Sequence, residues 1–415
     1  MHHSLPPTPR AIAAALLCLA SFAATAGAQA HRRRPQSKPA HKPARSAPAL
    51  VPRAPDVPQP VGAALAAPVR VCAGGDVTLG TNLDRTWERA ADDSMLSVYG
   101  LSPAPDSLAR QLSPLFAGAD LALINVEGAI GDGPAPRKCK RGSHSCFAFR
   151  QPTSTAAALR HAFDSTTEVV GNVANNHSHD AGADGRVTTI ALLEQAGVHV
   201  TGADTLATPV ALPSGDTVAV LGFYTDASTP DARDLAAVHR YVSGAVERWG
   251  TVIVTMHLGA EGPSAQRTRN ANEIFLKESR GNPVAFADAA FNAGATLVIG
   301  HGPHVLRAAE WHGDRLVLYS LGNLLTYGPF KLHDPTDRGA VACATIDSVR
   351  HVASAELRAT KQIWTGVLQP DSSARAFRLV DSLSALDFPE TGVTVDSTGA
   401  LGRRTARSTA DRPRR

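Results

Sequence analysis

Two histidines, His301 and His304, follow directly on a short apolar run and are the residues of this chain best suited to chemistry. The run 296–299 is rich in β-branched residues and predicts a buried strand, and Gly302 and Pro303 predict a turn just past its carboxyl end. Open α/β sheets bind their ligands at that edge. Imidazoles suit Zn, Mn or Fe better than Mg or Ca, which prefer oxygen. Taken alone, the pair fits a metal site or two ordinary surface histidines.

The same arrangement, an apolar run followed by polar residues, recurs four more times upstream. The polar residues at the five predicted strand ends are Asp76; Asn125 and Glu127; Asn175, Asn176 and His177; His257 and Glu261; His301 and His304. Taken singly, Asp76 could cap a helix, and the adjacent asparagines could form a turn. Their convergence on one sheet edge instead favours a two-metal hydrolytic centre. In such a centre a carboxylate or amide bridges the ions, and a histidine donates a proton to the leaving group.

The elements that must position these residues are read from hydrophobic periodicity. Apolar strands and helical patterns alternate from residue 69 to about residue 325, which predicts an α/β domain. The alternating runs 340–346 and 353–357 predict antiparallel strands that close it. An apolar content of 43% is enough for a substantial core. We therefore expect one large domain over residues 69–390.

The basic residues of the chain are concentrated at its two ends. Residues 1–68 carry a formal charge of +7 and residues 402–415 carry +5, so the chain's total of +4 leaves −8 on the segment between them. Basic tails can contact anionic lipid, cell-wall polymer or nucleic acid, or can simply be solvated. The body lacks a basic stripe with interleaved aromatics and any zinc-finger or RNA-binding signature, so we expect no nucleic-acid partner.

The N-terminal sequence predicts export to the periplasm or the extracellular space. Arg10 precedes the apolar run 11–26, and Ala28-Gln29-Ala30 is a cleavage signal, so residues 1–30 are predicted to be a signal peptide. An uncleaved anchor, which would leave the protein associated with the membrane, is the alternative. Residues 31–68, rich in Pro and basic residues, are predicted to be a disordered linker, and residues 391–415 a disordered basic tail.

Export also makes disulfide bonds available. Cys139 and Cys146 lie in a compact polar loop that a single bridge could close, although a zinc site with His144 is an alternative. Cys72 and Cys343 each lie in an apolar run, so we expect buried thiols at these two positions.

Six short motifs together resemble one known family. They are Gly75-Asp76-Val-Thr-Leu-Gly80, Asn125-Val-Glu127-Gly128, Ala174-Asn175-Asn176-His177 with Asp180, His257-Leu-Gly-Ala-Glu261, Gly300-His-Gly-Pro-His304 and Tyr319-Ser-Leu-Gly-Asn323. In this order, over residues 69–327, they resemble the CapA/PgsA family of poly-γ-glutamate capsule-synthesis proteins. That family is similar to calcineurin-like metallophosphatases, which implies a four-layer αββα sandwich. It also implies export and association with membrane synthase subunits and an anionic polymer of glutamate.

The resemblance also implies a role for each matching residue. Two divalent ions, Mn, Fe or Zn, would be held by Asp76, Glu127, Asn176, His257, His301 and His304. His177 would act as general acid with Asp180 orienting it, and Glu261 would orient His257. Asn125, Asn175 and Asn323 would complete the surrounding shell, with Asn323 closing the pocket. These roles imply a metal-dependent hydrolase or amide transferase.

Three departures from the family pattern favour a second interpretation. Metallophosphatases usually carry a histidine where this chain has Thr78, their last histidines are spaced His-x-His, and many family members have histidine at the position of Gly302. One metal site would then be depleted or altered. The alternative function is a non-catalytic subunit of a membrane polymer synthase that binds the polymer through its basic tails.

Overall fold

Two β-sheets carry the predicted site residues. The structure is a computed structural model that describes residues 64–81, 85–139, 146–330 and 332–404. The predicted signal peptide, residues 31–63 of the predicted linker and residues 405–415 lie outside the described residues. In chain order the strands are β1 (Val69–Leu79), β2 (Leu121–Val126), β3 (Ala129–Ile130), β4 (Arg150–Gln151), β5 (Glu168–Asn172), β6 (His199–Thr201), β7 (Thr208–Ala211), β8 (Thr217–Phe223), β9 (Thr251–His257), β10 (Ile274–Phe275), β11 (Glu278–Ser279), β12 (Leu297–His301), β13 (Ala309–His312), β14 (Arg315–Leu318), β15 (Asn323–Tyr327), β16 (Arg338–Ile346), β17 (Val352–Trp364), β18 (Val367–Pro370), β19 (Val393–Val395) and β20 (Leu401–Arg403).

The helices are α1 (Arg85–Tyr99), α2 (Pro105–Arg110), α3 (Thr155–His161), α4 (Gly182–Gln195), α5 (Leu235–Trp249), α6 (Pro283–Asn292) and α7 (Arg375–Asp387), with a 3₁₀ turn at Ser113–Leu115. Local sequence sets some of their ends. Helix α6 begins where the Asn282 side chain accepts hydrogen bonds from the amides of Val284 and Ala285, with Pro283 in the first turn. Helix α5 begins at the corresponding Asp234 cap. None of the helices in the described ranges is long and apolar enough to cross a membrane.

The sheets form the two inner layers of a four-layer sandwich. The first sheet has the order β18-β17-β16-β1-β2-β5-β6, with β15 also paired to β1, and the second has the order β13-β14-β12-β9-β8-β7. Apolar side chains of both sheets meet in one buried core. The outer face of the first sheet packs against α1 to α4, and that of the second against α5 and α6. The predicted αββα sandwich is therefore confirmed.

Strand register brings the polar strand ends together. Within the first sheet, Asp76 lies opposite Asn125 on β2 and opposite Asn323 on β15. Within the second, His257 of β9 lies opposite His301 of β12. Since all these pairings are parallel, the carboxyl ends share one edge of each sheet.

The ordered chain extends further than predicted at both ends. The tail predicted to be disordered from residue 391 instead forms the β19–β20 hairpin, in which Val393 and Leu401 are buried in the core between the sheets. A short hairpin with two buried apolar side chains produces too little periodicity to be detected in a polar sequence. At the other end Leu65 is buried, and its amide donates to Ser348, so the ordered chain begins before residue 69.

The prediction of buried thiols at Cys72 and Cys343 was wrong, because the structure joins them in a disulfide with a Cα–Cα distance of 4.0 Å. They lie directly opposite each other on β1 and β16. A partner 271 residues away along the chain leaves no local sign in the sequence. The structure also joins Cys139 to Cys146, with Cα atoms 5.5 Å apart. His144, the third residue of the alternative zinc site, lies outside the described residues.

Candidate metal centre

Asp76 lies at the centre of the shared edge, where β1 changes its neighbour from β16 to β15. Its backbone amide donates to the Gly322 carbonyl at 3.0 Å. A Cβ atom on Gly75 would lie 2.0 Å from that same carbonyl oxygen, so only glycine permits β15 to approach so closely. Gly75, inside β1, thus allows a third strand to pair with β1, and this pairing places Asp76 beside Asn323.

Asp76, Glu127 and His304 form a group whose potential metal-binding atoms all lie within 4.8 Å of one another. His304 Nδ1 is 3.0 Å from Asp76 Oδ2, and its Nε2 is 3.6 Å from Glu127 Oε1. Both carboxylates are fully buried. Two buried carboxylates and an imidazole at these separations could hold a divalent metal ion.

Several ligand atoms in this cluster are buried without a hydrogen-bond partner among the described residues. These atoms are Glu127 Oε1, Asn176 Oδ1, His257 Nε2 and both ring nitrogens of His301. Leaving such groups unsatisfied costs about 1–3 kcal/mol each, more when they are charged. A divalent cation satisfies oxygen and nitrogen lone pairs together, so the residues present fit a metal ion.

Asn125 links the carboxylate side of the cluster to the histidine side. Its Nδ2 donates to Asp76 Oδ1 at 2.8 Å and lies 3.3 Å from His257 Nδ1. Its Oδ1 accepts from Asn172 and Asn175 at 3.0 and 3.2 Å. Because this buried amide has partners on both sides, it holds the strand ends of both sheets in register.

His177 and Asp180 form a buried pair beside the cluster. Their Nδ1 and Oδ2 atoms are 2.6 Å apart, and His177 Nε2 faces Glu127 Oε1 at 3.9 Å. The Phe149 ring packs on the imidazole, with ring centroids 4.2 Å apart. Burial lowers the pKa of His177 even though the charge of Asp180 acts to raise it. The structure therefore brings this predicted pair together with one ring nitrogen directed at the cluster.

The prediction that Glu261 orients His257 was wrong. The Glu261 carboxylate lies 3.7 Å from His304 Nε2 and 2.9 Å from Arg280 Nη1, and Asn176 Nδ2 donates to it at 3.5 Å. His257 instead has Asn125 at its Nδ1. In the turn after β9, Gly259 has φ +99 and its amide donates to the Arg280 carbonyl, and the turn brings Glu261 to the Arg280 side chain.

His304 is held in an uncommon backbone conformation, with φ +57. Its Nδ1 lies 3.0 Å from Asn323 Oδ1, and Asn323 Nδ2 donates to the His304 carbonyl at 3.3 Å. Gly302 has φ +105, and a Cβ there would lie 2.9 Å from His257 Cδ2. The turn between His301 and His304 therefore passes through left-handed backbone close to the His257 imidazole, and this path accommodates the His-x-x-His spacing.

The charge states of the cluster differ from one residue to the next. Burial and the charge of Asp76 raise the pKa of Glu127 well above its ordinary value. Burial also opposes ionisation of Asp76, but a hydrogen bond and charge from His304 lower its pKa. Burial lowers the pKa of His257 well below its ordinary value and that of His301 to about 4. His257 and His301 are thus neutral near pH 7, the form that binds metal.

Sequence reasoning missed five residues that contact the predicted site: Thr78, Lys138, Phe149, Asn172 and Arg280. Thr78, at the position where metallophosphatases carry histidine, donates to the Glu127 carbonyl at 2.8 Å and so supports the backbone of that residue. Asn172 ends an apolar run, so the strand-end pattern contains the signal for it. Lys138, Phe149 and Arg280 lie on connecting segments, where no periodic pattern marks them.

The stacked sheets, the covering helices and the buried carboxylate–amide–histidine cluster define an αββα protein with a candidate metal centre at its strand ends. The chain belongs to the family described as bacterial capsule synthesis protein PGA_cap, which matches residues 70–327. That match contains every predicted metal ligand and confirms the family resemblance of the motifs.

Two curated relatives are named for the same process. The capsule biosynthesis protein CapA of Bacillus anthracis is 29% identical over 267 residues, covering 60% of this chain and 58% of the relative. The PGA biosynthesis protein CapA of Bacillus subtilis strain 168 is 24% identical over 268 residues, covering 60% of this chain and 61% of the relative. The chain thus matches about three fifths of the length of each.

Solved structures of phosphatases are among those with detectable similarity. The 5'-nucleotidase precursor of Thermus thermophilus has a TM-score of 0.34 at 13% identity, covering 70% of this chain and 54% of that one. Purple acid phosphatase PPD1 of yellow lupin has a TM-score of 0.34 at 8% identity, covering 71% and 52%. Scores at this level support no statement about the chemistry of this chain.

Proposed function

We propose that this chain is an exported protein of capsule synthesis whose strand-end cluster is a metal-dependent hydrolase or amide transferase centre. The observation that carries the proposal is the set of buried ligand atoms, contributed by both sheets, that have no hydrogen-bond partner within the described ranges. Membership of the capsule-synthesis family supports the process. The relatives' names support a link to polyglutamate, and so to a membrane synthase and an anionic polymer as partners.

Six residues would hold the metal, two ions of Mn, Fe or Zn in our proposal: Asp76, Glu127, Asn176, His257, His301 and His304. When bound, a divalent ion supplies a Lewis acid that lowers the pKa of water and polarises a carbonyl or phosphoryl group. The neutral imidazoles of His257 and His301 are already in the binding form. Asn125 and Asn175 hold the ligand-bearing strand ends, and Asn323 holds the His304 turn.

His177 would move the proton. Its Nδ1 is occupied by Asp180 at 2.6 Å, which leaves Nε2 as the atom that exchanges a proton with the substrate. Phe149, which is 4% exposed, covers one face of the ring and excludes water from it. Arg280 pairs with Glu261 and Lys138 with Asp180, so each cation offsets a carboxylate beside the cluster, which lessens the repulsion of an anionic substrate such as a polyglutamate chain.

Elemental mass spectrometry of the purified chain tests the metal. We expect about two equivalents of Mn, Fe or Zn in the wild type, and loss of metal in Glu127→Ala, His257→Ala and His304→Ala. His199→Ala is the matched control, because His199 is also a partly buried histidine paired with a glutamate, Glu168 at 2.9 Å, but contacts none of the cluster. Loss of metal in the control as well would show that the variants fail through misfolding.

A metal-free protein after repletion would contradict the hydrolase proposal and favour the accessory role. The observation that favours that role is Thr78, which supplies a hydroxyl to the Glu127 backbone where a further imidazole ligand is usual. Polymer binding through the basic tails would then fall with increasing salt and with deletion of residues 405–415.

Export is tested by mass spectrometry of the protein recovered from each cell fraction. We expect the mature chain outside the cytoplasm, beginning at about His31. An intact N-terminus in the membrane fraction would instead show an uncleaved anchor.

A further inference from the structure

The Asp180 carboxylate is held by two segments that flank a disulfide bond. Lys138 Nζ donates to Asp180 Oδ1 at 2.8 Å, and the Phe149 amide donates to Asp180 Oδ2 at 2.7 Å. Lys138 precedes Cys139 directly, and Phe149 follows Cys146 by three residues. The disulfide between these cysteines thus joins the two segments that contact Asp180 from different sides.

The same two segments also contact the neighbours of Asp180. Lys138 Nζ donates to the Asn176 carbonyl at 2.8 Å, and Phe149 packs on the His177 ring. From the described residues Asp180 accepts three hydrogen bonds, since His177 Nδ1 lies 2.6 Å from the oxygen that receives the Phe149 amide. Its side chain is fully buried, so each of these donors contributes to holding a charge away from water.

We propose that the Cys139–Cys146 disulfide, Lys138 and Phe149 form a clamp that fixes the His177–Asp180 pair, with Lys138 as a positioning residue. This inference deepens the proposed function, on which it rests. The bridge closes a separation of only seven residues, whereas Cys72–Cys343 closes one of 271. Stabilisation of the fold by a disulfide grows with the length of the closed loop, so the longer bridge is the better placed to stabilise the whole domain. The short bridge is the one whose flanking residues contact the site.

Coupling between two sites is reciprocal, which allows a test without substrate or metal. If the bridge holds the segments on Asp180, loss of the Asp180 contacts must make the bridge easier to reduce. The full-length protein is equilibrated over a series of dithiothreitol concentrations, free thiols are trapped by alkylation, and each bridge is quantified by mass spectrometry. The bridge takes up two electrons and two protons as dithiothreitol is oxidised to its cyclic disulfide. Cys139 and Cys146 are partly exposed and Cys72 and Cys343 are buried, so the two bridges titrate separately.

The midpoint is the dithiothreitol concentration at which half of a bridge is reduced. We expect Lys138→Met to lower the midpoint of the Cys139–Cys146 bridge about two- to fivefold, which corresponds to the free energy of a partly exposed ion pair. Asp180→Asn should lower it at least as far, and Lys138→Arg should restore a midpoint near that of the wild type. Lys361→Met is the matched control, because the Lys361 side chain is equally exposed, at 40%, and pairs with Asp337 outside the site. The Cys72–Cys343 midpoint should not move in Lys138→Met or in the control.

NMR resonances of the His177 ring provide a second test of whether the bridge fixes the His177–Asp180 pair. In protein labelled with ¹⁵N-histidine, the His177 ring resonances should change when the short bridge alone is reduced and alkylated, and should not change in Lys361→Met. Unchanged midpoints in both Lys138→Met and Asp180→Asn, or unchanged His177 resonances after reduction, would overturn the clamp. Failure of the proposed function would appear separately, as absence of metal with the coupling intact.

Discussion

Two buried polar groups near the same sheet edge have opposite hydrogen-bonding states. Arg307 is 1% exposed and bonds the Glu273 carboxylate through both terminal nitrogens at 2.8 Å, while its Nε donates to the Ala265 carbonyl at 2.7 Å. The Asp76 cluster, equally buried, leaves ligand atoms from both sheets without hydrogen-bond partners in the part of the chain that the structure describes. A fully paired buried group holds the structure together, whereas an unpaired group raises the free energy of the folded protein unless a ligand binds. The difference distinguishes a structural ion pair from a candidate site.

Breaking the Arg307–Glu273 pair should have the largest effect on the free energy of unfolding. Arg307→Met removes the cation of the Glu273 carboxylate, whose side chain is only 15% exposed, and we expect a loss of about 3–5 kcal/mol in the free energy of unfolding. Urea denaturation monitored by circular dichroism measures it. A loss below about 1 kcal/mol, the value of an exposed ion pair, would show that this pair does not differ from those at the surface.

Metal binding to the unpaired atoms of the Asp76 cluster should stabilise the protein. At a metal concentration 100 times the dissociation constant, binding adds about 2.7 kcal/mol to the free energy of unfolding. We expect that gain in the wild type on addition of Mn²⁺ or Zn²⁺ to chelator-treated protein, and its absence in His257→Ala. Thermal melts with and without EDTA provide the measurement. Equal stabilisation of both proteins would place the bound metal elsewhere.

Replacing the Glu127 carboxylate by an amide should stabilise the metal-free protein, whereas Arg307→Met should destabilise it. Burial and Asp76 raise the pKa of Glu127, so ionising Glu127 costs free energy in the folded state. Stability of the metal-free wild type should therefore fall as the pH rises above the unfolded pKa of about 4.5. Glu127→Gln should remove this dependence and add about 1–3 kcal/mol at pH 7. Chelator-treated variants unfolded in urea at several pH values test it, and a less stable Gln variant would contradict the expectation.

A partly exposed pair should show the smallest effect, with stability again falling as the pH rises, but beginning at a higher pH than for Glu127. Although burial lowers it, the pKa of His312 is raised overall by Glu310, whose Oε2 lies 3.2 Å from Nε2. The pair's stabilisation is fully present below the unfolded pKa of about 6.5 and is lost as the pH rises through the folded value. Urea melts between pH 5.5 and 8.5 should show this decline in the wild type and a flatter profile in His312→Asn. Identical profiles would show that the histidine pair contributes nothing.

Several of the predicted site residues lie close together in the structure because they lie at or near strand ends. An apolar run followed by a polar residue is a local pattern, and parallel strands in one sheet have their carboxyl ends at a common edge. The same rule covers Asp76, Glu127, His257 and His301, and the structure brings all four together. The partner of Glu261 was predicted wrongly, because the path of the turn after His257 depends on Gly259 and on the segments packed around it.

Strand order, and with it the partners of buried groups, depended on the tertiary structure. The Cys72–Cys343 disulfide joins strands that are adjacent because β16, late in the chain, returns to pair with β1. The contacts of Lys138 and Phe149 with Asp180 depend on how one connecting segment packs against the loop after β5. Such contacts join residues far apart in the chain, and neither residue type nor spacing encodes them.

By itself the sequence determined the fold class, the family and the set of potential ligands, because hydrophobic periodicity and short motifs are local properties of the chain. The tertiary structure decided which atoms of those ligands remain unpaired, and which residues hold the His177–Asp180 pair. The physical reason is that hydrogen-bond satisfaction depends on every group within about 3 Å. Those groups come from both sheets and from the segments that connect them.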